Sequence, residues 1–412
     1  MHAKSVARHL IASSRTSHTP RPTAAATVDA NVAAAVTSEL GRLCAEFVAY
    51  SRSLDPTFAT EVAERLATFT LNGGSRIRPR FLWWAMRACG GTDTHVAGAL
   101  RIAAALELIQ SCALVHDDVM DQSALRRGRP SFHAQIAQQF QSGAPPREPD
   151  PSPFAHSVAA PAGPFAHSVA VLAGDLALSW ADDLVATVDL LPPVRADVLR
   201  IWRAMRTEMI AGQYLDLHGQ ATSSRSAVQA IRTVCLKTAR YTVEQPVALG
   251  AALAGADEST TRALAAAGRC AGIAFQLRDD LLGVFGDPEV TGKPCGDDLR
   301  SGKATYLLAL AHARARATGA TDVVEVLHGC RGSGPLSGTE LARVREALRS
   351  TGAPAQVERR IERLVRASDR HLTAAHLEGP AFRHLAELLR QVASPHQDTT
   401  ATQPNDLHEG MR

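Results

Sequence analysis

The sequence predicts an all-α protein. Apolar residues recur at intervals of three and four along most of the 412 residues, and the alternation typical of strands is scarce. Hydrophobic residues make up 45% of the chain, which is enough to build a sizeable core. Length alone allows either one large domain or two ordinary ones.

Three long segments carry most of the expected core, and two later segments are expected to cover it. Residues 96–120, 227–255 and 260–286 are alanine-rich and apolar around most of the helix circumference, as in helices buried on nearly all sides. Residues 341–350 and 353–372 are amphipathic with a charged outer face, which is typical of peripheral helices.

Three further segments are expected to lie outside the helices. Residues 1–28 have the Ala-, Ser-, Thr- and Arg-rich composition shared by organellar transit peptides and disordered tails, and we predict a disordered tail. Residues 393–412 are similarly polar and are also predicted to be disordered. Residues 141–164 are too proline-rich for a helix and predict a loop. Its residues 153–163 are followed by an imperfect copy, 164–174, which we interpret as a local duplication without chemistry of its own.

Charge and cysteine content exclude several classes of protein. Lys+Arg 44 against Asp+Glu 41 gives a net charge of +3, too balanced to indicate a nucleic-acid-binding protein. The seven cysteines show no CxxC spacing, so neither a zinc site nor a disulfide framework is indicated, and a reducing cytoplasm fits. We find no apolar run approaching the ~20 residues needed to cross a bilayer and expect no transmembrane segment.

Two separate apolar helices each carry aspartates. Asp117 and Asp121 are four residues apart and share a helix face, with Asp118 about 100° round from Asp117. Alone, this cluster could equally be a solvated helix end or a cap. A second pair, Asp279 and Asp280, stands late in another apolar helix, and unpaired buried carboxylates are costly. Two clusters facing one cavity would hold a hard divalent cation, and Mg²⁺ typically binds carboxylates together with substrate phosphates.

Cations accompany these acids. The chain has only four lysines, and three of them stand near acid-rich or glycine-bearing motifs: Lys237, Lys293 and Lys303. Arginines follow the first acidic cluster and the "GG" pair at 73–74, namely Arg76, Arg78, Arg80, Arg126 and Arg127. Metal-binding acids with dispersed cations suit a diphosphate ligand, whose oxygens take both metal ions and charge-assisted hydrogen bonds.

The order of these motifs resembles the trans-isoprenyl diphosphate synthases, or polyprenyl synthetases, from about residue 70 to 310. The motifs are "GGSRIRP", "LVHDDVMD…RRGRP", "GDLALS", "GQYLDL", "KTARY", "FQLRDDLLGVFGD" and "GKPCGDDLRSGK". Bacterial geranylgeranyl diphosphate synthases are the most similar group. The resemblance implies an isoprenoid-synthase fold, a single helical domain (29–392) around a central cavity, and a homodimer.

The resemblance also implies roles for individual residues. Asp117, Asp118, Asp121, Asp279 and Asp280 would hold Mg²⁺ on the allylic diphosphate. Arg126, Lys237 and Lys303 would contact that diphosphate, and Arg78, Gln110 and Arg127 would bind isopentenyl diphosphate. Thr238, Gln276 and Lys293 would add substrate contacts, and Asp216 would line the cavity. Metal ions and cations would stabilise the departing diphosphate as the allylic C–O bond ionises, and the double bond of isopentenyl diphosphate would attack the cation.

Product length is expected to depend on side chains one helical turn before Asp117. Cys112 and Ala113 are small where short-chain relatives place an aromatic ring, so the cavity should stay open. Ile109 and Leu106, a turn or two further, could form a floor or could pack against a neighbouring helix. We predict a twenty-carbon product, geranylgeranyl diphosphate.

The chain departs from the family pattern at two positions, and two other functions are considered. Ser75 replaces a lysine expected to bind isopentenyl diphosphate, for which Arg76 or Arg80 could compensate, and Gly283 replaces a third aspartate of the second motif.

A class I terpene cyclase would use the aspartates but has no obvious use for the arginine motifs. A non-catalytic subunit modulating a partner synthase would explain Ser75 but not the retained aspartates and lysines.

Overall fold

The computed structural model describes residues 23–142, 162–286, 296, 299, 303–329 and 337–393. Within these ranges nearly all residues are helical, and one two-stranded antiparallel hairpin is the only sheet. The prediction of an all-α fold is therefore confirmed.

The helices and strands follow one another along the chain with short connections. The α-helices are α1 Ala24–Ala30, α2 Val32–Leu54, α3 Pro56–Phe58, α4 Glu64–Leu71, α5 Ile77–Ala88, α6 Val96–Met120, α7 Phe132–Ser142, α8 Ala162–Ala186, α9 Pro192–Ala221, α10 Ala227–Thr233, α11 Gln245–Leu253, α12 Glu258–Phe285, α13 Tyr306–Ala317, α14 Thr321–Gly329, α15 Gly338–Ser350, α16 Ala353–Ala374 and α17 Pro380–Ala393. Residues Ala59–Ala63 and Val234–Glu244 are π-helical, Asp93–His95 form a 3₁₀ turn, and the strands are β1 Leu125–Arg126 and β2 Arg129–Pro130.

The described structure starts earlier than the expected N-terminal boundary. Thr23 Oγ1 accepts a hydrogen bond from Ala26 N and caps α1, which begins at Ala24. Helix α1 thus occupies the end of the segment that we expected to be a disordered tail. The rest of that segment, residues 1–22, lies outside the described residues.

The other two non-helical segments fall mostly outside the described residues. Helix α7 ends at Ser142 and α8 begins at Ala162, so the expected loop is two or three residues shorter at each end than predicted. Residues 143–161 and 394–412 are not described.

The core consists of two apolar clusters on either side of a shared pair of helices. One cluster surrounds α6 and includes α2 and α8, and the other surrounds α12 and includes α13, α16 and α17. Helix α5 contributes to both, since Leu82 and Met86 face the first cluster whereas Phe81 and Ala85 face the second. Helix α11 is divided in the same way. The two clusters therefore pack as one helical body.

Helix α6 is more apolar than the sequence analysis allowed. Within the helical stretch Asp93–Met120, the most apolar 18-residue window has a mean hydropathy of 1.5, enough to cross a membrane by length and composition, so our expectation that no such run exists was wrong. In the structure, 78% of its most apolar window is buried. This burial is that of a central core helix, which is apolar all round because helices surround it.

The π-helical segment Val234–Glu244 lies in backbone contact with both of its neighbours. A Cβ atom at Gly212 on α9 would lie 2.4 Å from Lys237 N, and one at Gly272 on α12 would lie 2.7 Å from Ala239 Cα. Real Cβ atoms do not approach backbone so closely, so glycine is required at both positions. These two contacts fix the distance of Lys237 and Thr238 from α9 and α12.

We expect Gly272→Ala to lower the free energy of unfolding by about 1–3 kcal/mol, because the added methyl group meets backbone that cannot rotate away. Gly41→Ala is the matched control, since its Cβ would make only an ordinary 3.9 Å contact with Leu71 within another helix. Urea unfolding of both variants measures the effect. Equal stability of the two variants would contradict the close approach of α12 to the π-helix.

Candidate active site

A cavity of about 790 Å³ opens between α6, α9, the π-helix and α12. The residues that sequence analysis selected and that line it are Arg78, Gln110, Cys112, Ala113, Asp117, Asp121, Arg126, Asp216, Lys237, Thr238, Gln276, Asp280 and Lys303. The structure thus brings residues from both acidic clusters and four of the selected cations to one cavity.

The first acidic cluster lies at the C-terminal end of α6, and the β-hairpin folds an arginine back onto it. Arg127 and Gly128 both have positive φ, as a two-residue hairpin turn of type I′ requires. This turn leaves Arg126 beside α6, where its Nε donates to Asp118 Oδ1 at 2.9 Å and its Nη2 lies 3.5 Å from Asp117 Oδ2. Asp118 is completely buried, whereas Asp121 is exposed.

Asp117 has two further partners from other helices. Gln213 Nε2 donates to Asp117 Oδ1 at 2.9 Å, and Lys237 Nζ lies 3.3 Å from the same oxygen. Lys237 Nζ also lies 2.7 Å from Asp216 Oδ2. One ammonium group therefore joins carboxylates of α6 and α9.

The electrostatic environments of the three aspartates differ. Burial alone would raise the pKa of Asp117, but Lys237, Arg126 and the hydrogen bond from Gln213 outweigh it and lower that pKa. Burial raises the pKa of Asp118 in spite of Arg126. The pKa of Asp121 is also raised, by partial desolvation from the surrounding protein although its surface is exposed, and by the charge of Asp117. A divalent cation bound here would favour the ionised form of all three carboxyl groups.

The second acidic cluster is organised by one amide on α12. Gln276 Nε2 donates to Asp279 Oδ2 at 3.2 Å and to Asp280 Oδ1 at 2.9 Å. Its Oε1 accepts a hydrogen bond from Thr238 Oγ1 at 3.1 Å. Both aspartates are buried.

The π-helix connects the two clusters. Its adjacent residues Lys237 and Thr238 reach different acids: Lys237 contacts Asp117, and Thr238 contacts Gln276 of the second cluster. π-Helical segments are rare in proteins, but those that occur are often found at functional sites. Here the segment places two neighbouring side chains toward opposite walls of the cavity.

The donor set suits Mg²⁺ held jointly by protein and substrate. No group of three or more His, Cys, Asp or Glu side chains lies close enough to hold a metal ion by itself within the described part of the chain. Asp118 Oδ2 is buried and has no hydrogen-bond partner there. Carboxylate oxygens are ligands for a hard cation, and Mg²⁺ usually completes its shell with water and phosphate oxygens. The residues therefore fit this ion.

Arg78 is held within the protein beside the cavity. Its side chain is 2% exposed, its Nη2 donates to Thr242 Oγ1 at 2.9 Å, and its guanidinium lies 4.6 Å from the centre of the Tyr241 ring. Burial lowers its pKa. Gln110 is also buried and lines the same cavity.

Several selected residues do not line the cavity. Asp118 and Asp279 are buried and are not among the lining residues. Arg127 packs on the glycine pair, where a Cβ at Gly73 would lie 2.0 Å from its Nη1. Ile109 is fully buried in the core around α6, as is Leu106, so the structure does not place either of them as the cavity floor. Lys293 lies outside the described residues.

The arginines near Ser75 do not replace the missing lysine in this structure. Arg76 is buried in an ion pair with Glu107, and its Nη2 donates to the carbonyl oxygens of Thr70 at 3.1 Å and Leu71 at 3.0 Å. Neither Arg76 nor Arg80 lines the cavity. Burial also lowers the pKa of Arg80.

The cavity lining also contains residues that were not selected from the sequence, among them His116, Gln213 and Tyr241. Gln213 could have been found, because it lies one helical turn before Asp216 on the same face of α9. His116 and Tyr241 lie inside the quoted motifs "LVHDD" and "KTARY", but no spacing distinguishes them from core residues.

Fold and site together describe an all-α protein that gathers acids and cations around a deep cavity. The chain belongs to the polyprenyl synthetase family, whose profile matches residues 60–331. It is 30% identical over 274 residues to the geranylfarnesyl diphosphate synthase of Aeropyrum pernix, covering 66% of this chain and 76% of that protein. It is 36% identical over 238 residues to the (2E,6E)-farnesyl diphosphate synthase of Mycobacterium tuberculosis, covering 57% of this chain and 55% of that one.

The fold is also similar to a solved structure. The geranylgeranyl pyrophosphate synthase of Corynebacterium glutamicum, complexed with isoprenyl diphosphate and magnesium, superimposes with a TM-score of 0.76 at 36% identity. The match covers 87% of this chain and 98% of that chain. The names of these relatives differ in product, so similarity alone does not give the product length for this chain.

Proposed function

We propose that the protein is a Mg²⁺-dependent trans-prenyltransferase that condenses an allylic diphosphate with isopentenyl diphosphate in the cytoplasm. The observation that carries the proposal is the meeting of two acidic clusters, on α6 and α12, with Arg126, Lys237 and Lys303 at one cavity. When bound, Mg²⁺ supplies Lewis-acid stabilisation of the departing diphosphate.

The protein's own residues bind, orient and shield the substrates. Lys237 and Arg126, which contact Asp117, are placed to exchange part of that contact for diphosphate oxygens and so stabilise the leaving group. Gln276 keeps Asp279 and Asp280 in a fixed orientation. Apolar residues that line the cavity, among them Ala113, Leu114 and Met209, keep water from the allylic cation.

Isopentenyl diphosphate is assigned to the side of the cavity that contains Arg78 and Gln110. The buried guanidinium of Arg78 has little freedom to lose on binding, which favours a pre-organised anion site. Arg127, Thr238 and Lys293 remain proposed substrate contacts.

The proposed function is tested by incubating the purified chain with Mg²⁺, isopentenyl diphosphate and allylic primers of about five, ten and fifteen carbons. Chain elongation supports the proposal. Release of a hydrocarbon or alcohol from one diphosphate without isopentenyl diphosphate would indicate a cyclase. No turnover by the chain alone would indicate a non-catalytic subunit.

We predict that Asp117→Ala and Asp279→Ala each lower kcat by about 10²-fold or more, since each removes a carboxylate from a site that works by charge stabilisation. Asp197→Ala, which removes an exposed aspartate on α9, is the control and should keep full activity. Circular dichroism verifies the helical fold of each variant. Near-complete activity of either site variant at saturating Mg²⁺ would refute the metal-binding assignment.

We predict that Ser75→Lys lowers the KM for isopentenyl diphosphate about tenfold and leaves the KM for the allylic substrate nearly unchanged. A charge-assisted hydrogen bond contributes about 1.5–3 kcal/mol, and Arg76 is engaged by Glu107. Ser75→Met, similar in length but uncharged, is the control. Equal KM values for the lysine and methionine variants would show that the added charge does not reach the substrate.

We predict a main product of about twenty carbons and its shortening to about fifteen in the double variant Cys112→Phe/Ala113→Phe. Both side chains line the cavity, so two rings would fill the space beneath the acids. The size-conserving variant Cys112→Ser/Ala113→Ser should keep the wild-type product. Chromatography of the dephosphorylated products measures their chain length. An unchanged length in the Phe variant would show that residues of another helix limit the length of the product.

We also propose a homodimer formed through exposed apolar residues of α8. Phe165 and Leu172 are 42% and 61% exposed, and they are seven residues apart on one face of the helix. Phe165 also packs edge to face against Phe140 of α7, with ring centroids 4.8 Å apart. The burial of this apolar surface between two copies would be favourable.

The double variant Phe165→Asp/Leu172→Asp is expected to sediment as a monomer, because four charges would be buried in each dimer. Val228→Asp, which changes an apolar residue on α10 that is 76% exposed, serves as the control and should remain dimeric. Sedimentation equilibrium of the wild type and both variants tests this. A monomeric wild type, or a dimeric double variant, would contradict the assignment.

A further inference from the structure

His116 lies between α6 and α8 in the wall of the cavity. Its Nε2 lies 3.1 Å from the carbonyl oxygen of Val171, and its Nδ1 lies 3.7 Å from Cys112 Sγ. A carbonyl oxygen only accepts hydrogen bonds, so Nε2 carries the proton, and Nδ1 is left to accept from the Cys112 thiol. Asp175 Oδ1, 3.7 Å from Nε2, is the carboxylate that α8 places nearest the ring. These contacts fix the plane of the imidazole.

Gly174 is the reason that the ring can lie so close to α8. A Cβ atom at Gly174 would be 2.1 Å from His116 Nε2 and 2.4 Å from its Cδ2. The imidazole therefore occupies the space that any other side chain at Gly174 would take. The position of the imidazole ring therefore depends on the absence of a side chain at Gly174 of α8.

The same ring faces the cavity beside the small residues of α6. Cys112 is one helical turn before His116, and both line the cavity together with Ala113. On the α8 side, the imidazole is thus a partition between the cavity and the helix backbone at Gly174. Removing the ring would extend the cavity toward α8.

We infer that His116 is a specificity-determining residue: it closes the cavity toward α8 and limits the length of the prenyl chain, and Gly174 sets how far the ring projects. This inference rests on the proposed function. It adds a second wall to the one formed by Cys112 and Ala113.

Two opposite changes follow from this geometry. His116→Ala opens space above Gly174, so longer chains bind better and the main product lengthens by about one five-carbon unit. Gly174→Ala displaces the imidazole into the cavity, so longer chains bind less well and the product shortens. In the double variant His116→Ala/Gly174→Ala the added methyl group meets no ring, so the double variant behaves like His116→Ala.

The experiment measures binding and products separately. Titration calorimetry with Mg²⁺ gives the Kd of allylic diphosphates of about ten, fifteen and twenty carbons for the wild type and the three variants. Chromatography gives the product length with isopentenyl diphosphate. Gly163→Ala, on the same helix with no atom within 4 Å of its Cβ, is the control for an alanine in α8. His116→Gln, which keeps a donor and much of the volume, is the conservative variant.

The expected result is a preference for the longest over the shortest ligand that rises on the order of tenfold in His116→Ala and falls in Gly174→Ala, with Gly163→Ala and His116→Gln near the wild type. A wild-type length preference in His116→Ala would overturn the inference. The inference would also be overturned if Gly174→Ala shifted the length preference as strongly in the double variant as it does alone. A shifted binding preference without elongation by the wild type would instead support the inference and refute the proposed function.

Discussion

The ion pairs of Lys237 hold the walls of the cavity in place. Its ammonium lies 2.7 Å from Asp216 and 3.3 Å from Asp117, so three helical segments meet at one positive charge. Two partly desolvated carboxylates at this spacing would repel each other without a cation between them. The neighbouring Thr238 continues the connection to Gln276 and the second acidic cluster. The arrangement of both clusters thus depends on where the π-helix places two adjacent residues.

Much of the fold and the identity of the family could be predicted from local features of the sequence. Helical periodicity identifies the core helices because burial selects apolar residues at the spacing of a helix face. The family is recognised because the motifs around Asp117, Lys237 and Asp279 occur in order, and both the fold class and the family are confirmed. The convergence of the two acidic clusters on one cavity follows from their position near the ends of apolar helices.

The remaining features depend on partners distant in sequence. Arg76 was considered as a substitute for a lysine, yet it pairs with Glu107, 31 residues away, at a buried site that no local pattern marks. The π-helix has no sequence signature of its own, since its register is set by packing against Gly212 and Gly272. Residues 24–28 of α1 fall within the predicted disordered tail, because the alanines carry no periodic signal strong enough to reveal a seven-residue helix.

The glycine contacts around the π-helix also constrain how this family member can diverge. At Gly212 and Gly272 the main chains of three helical segments touch, so a new side chain at either position would shift the charges that line the cavity as a group. Natural variants are therefore expected to keep the spacing of these helices and to alter only side chains that project into the cavity. Substitutions that change the prenyl substrate would then occur at cavity-lining residues such as Cys112, Ala113 and Met209, while the supporting backbone stays unchanged.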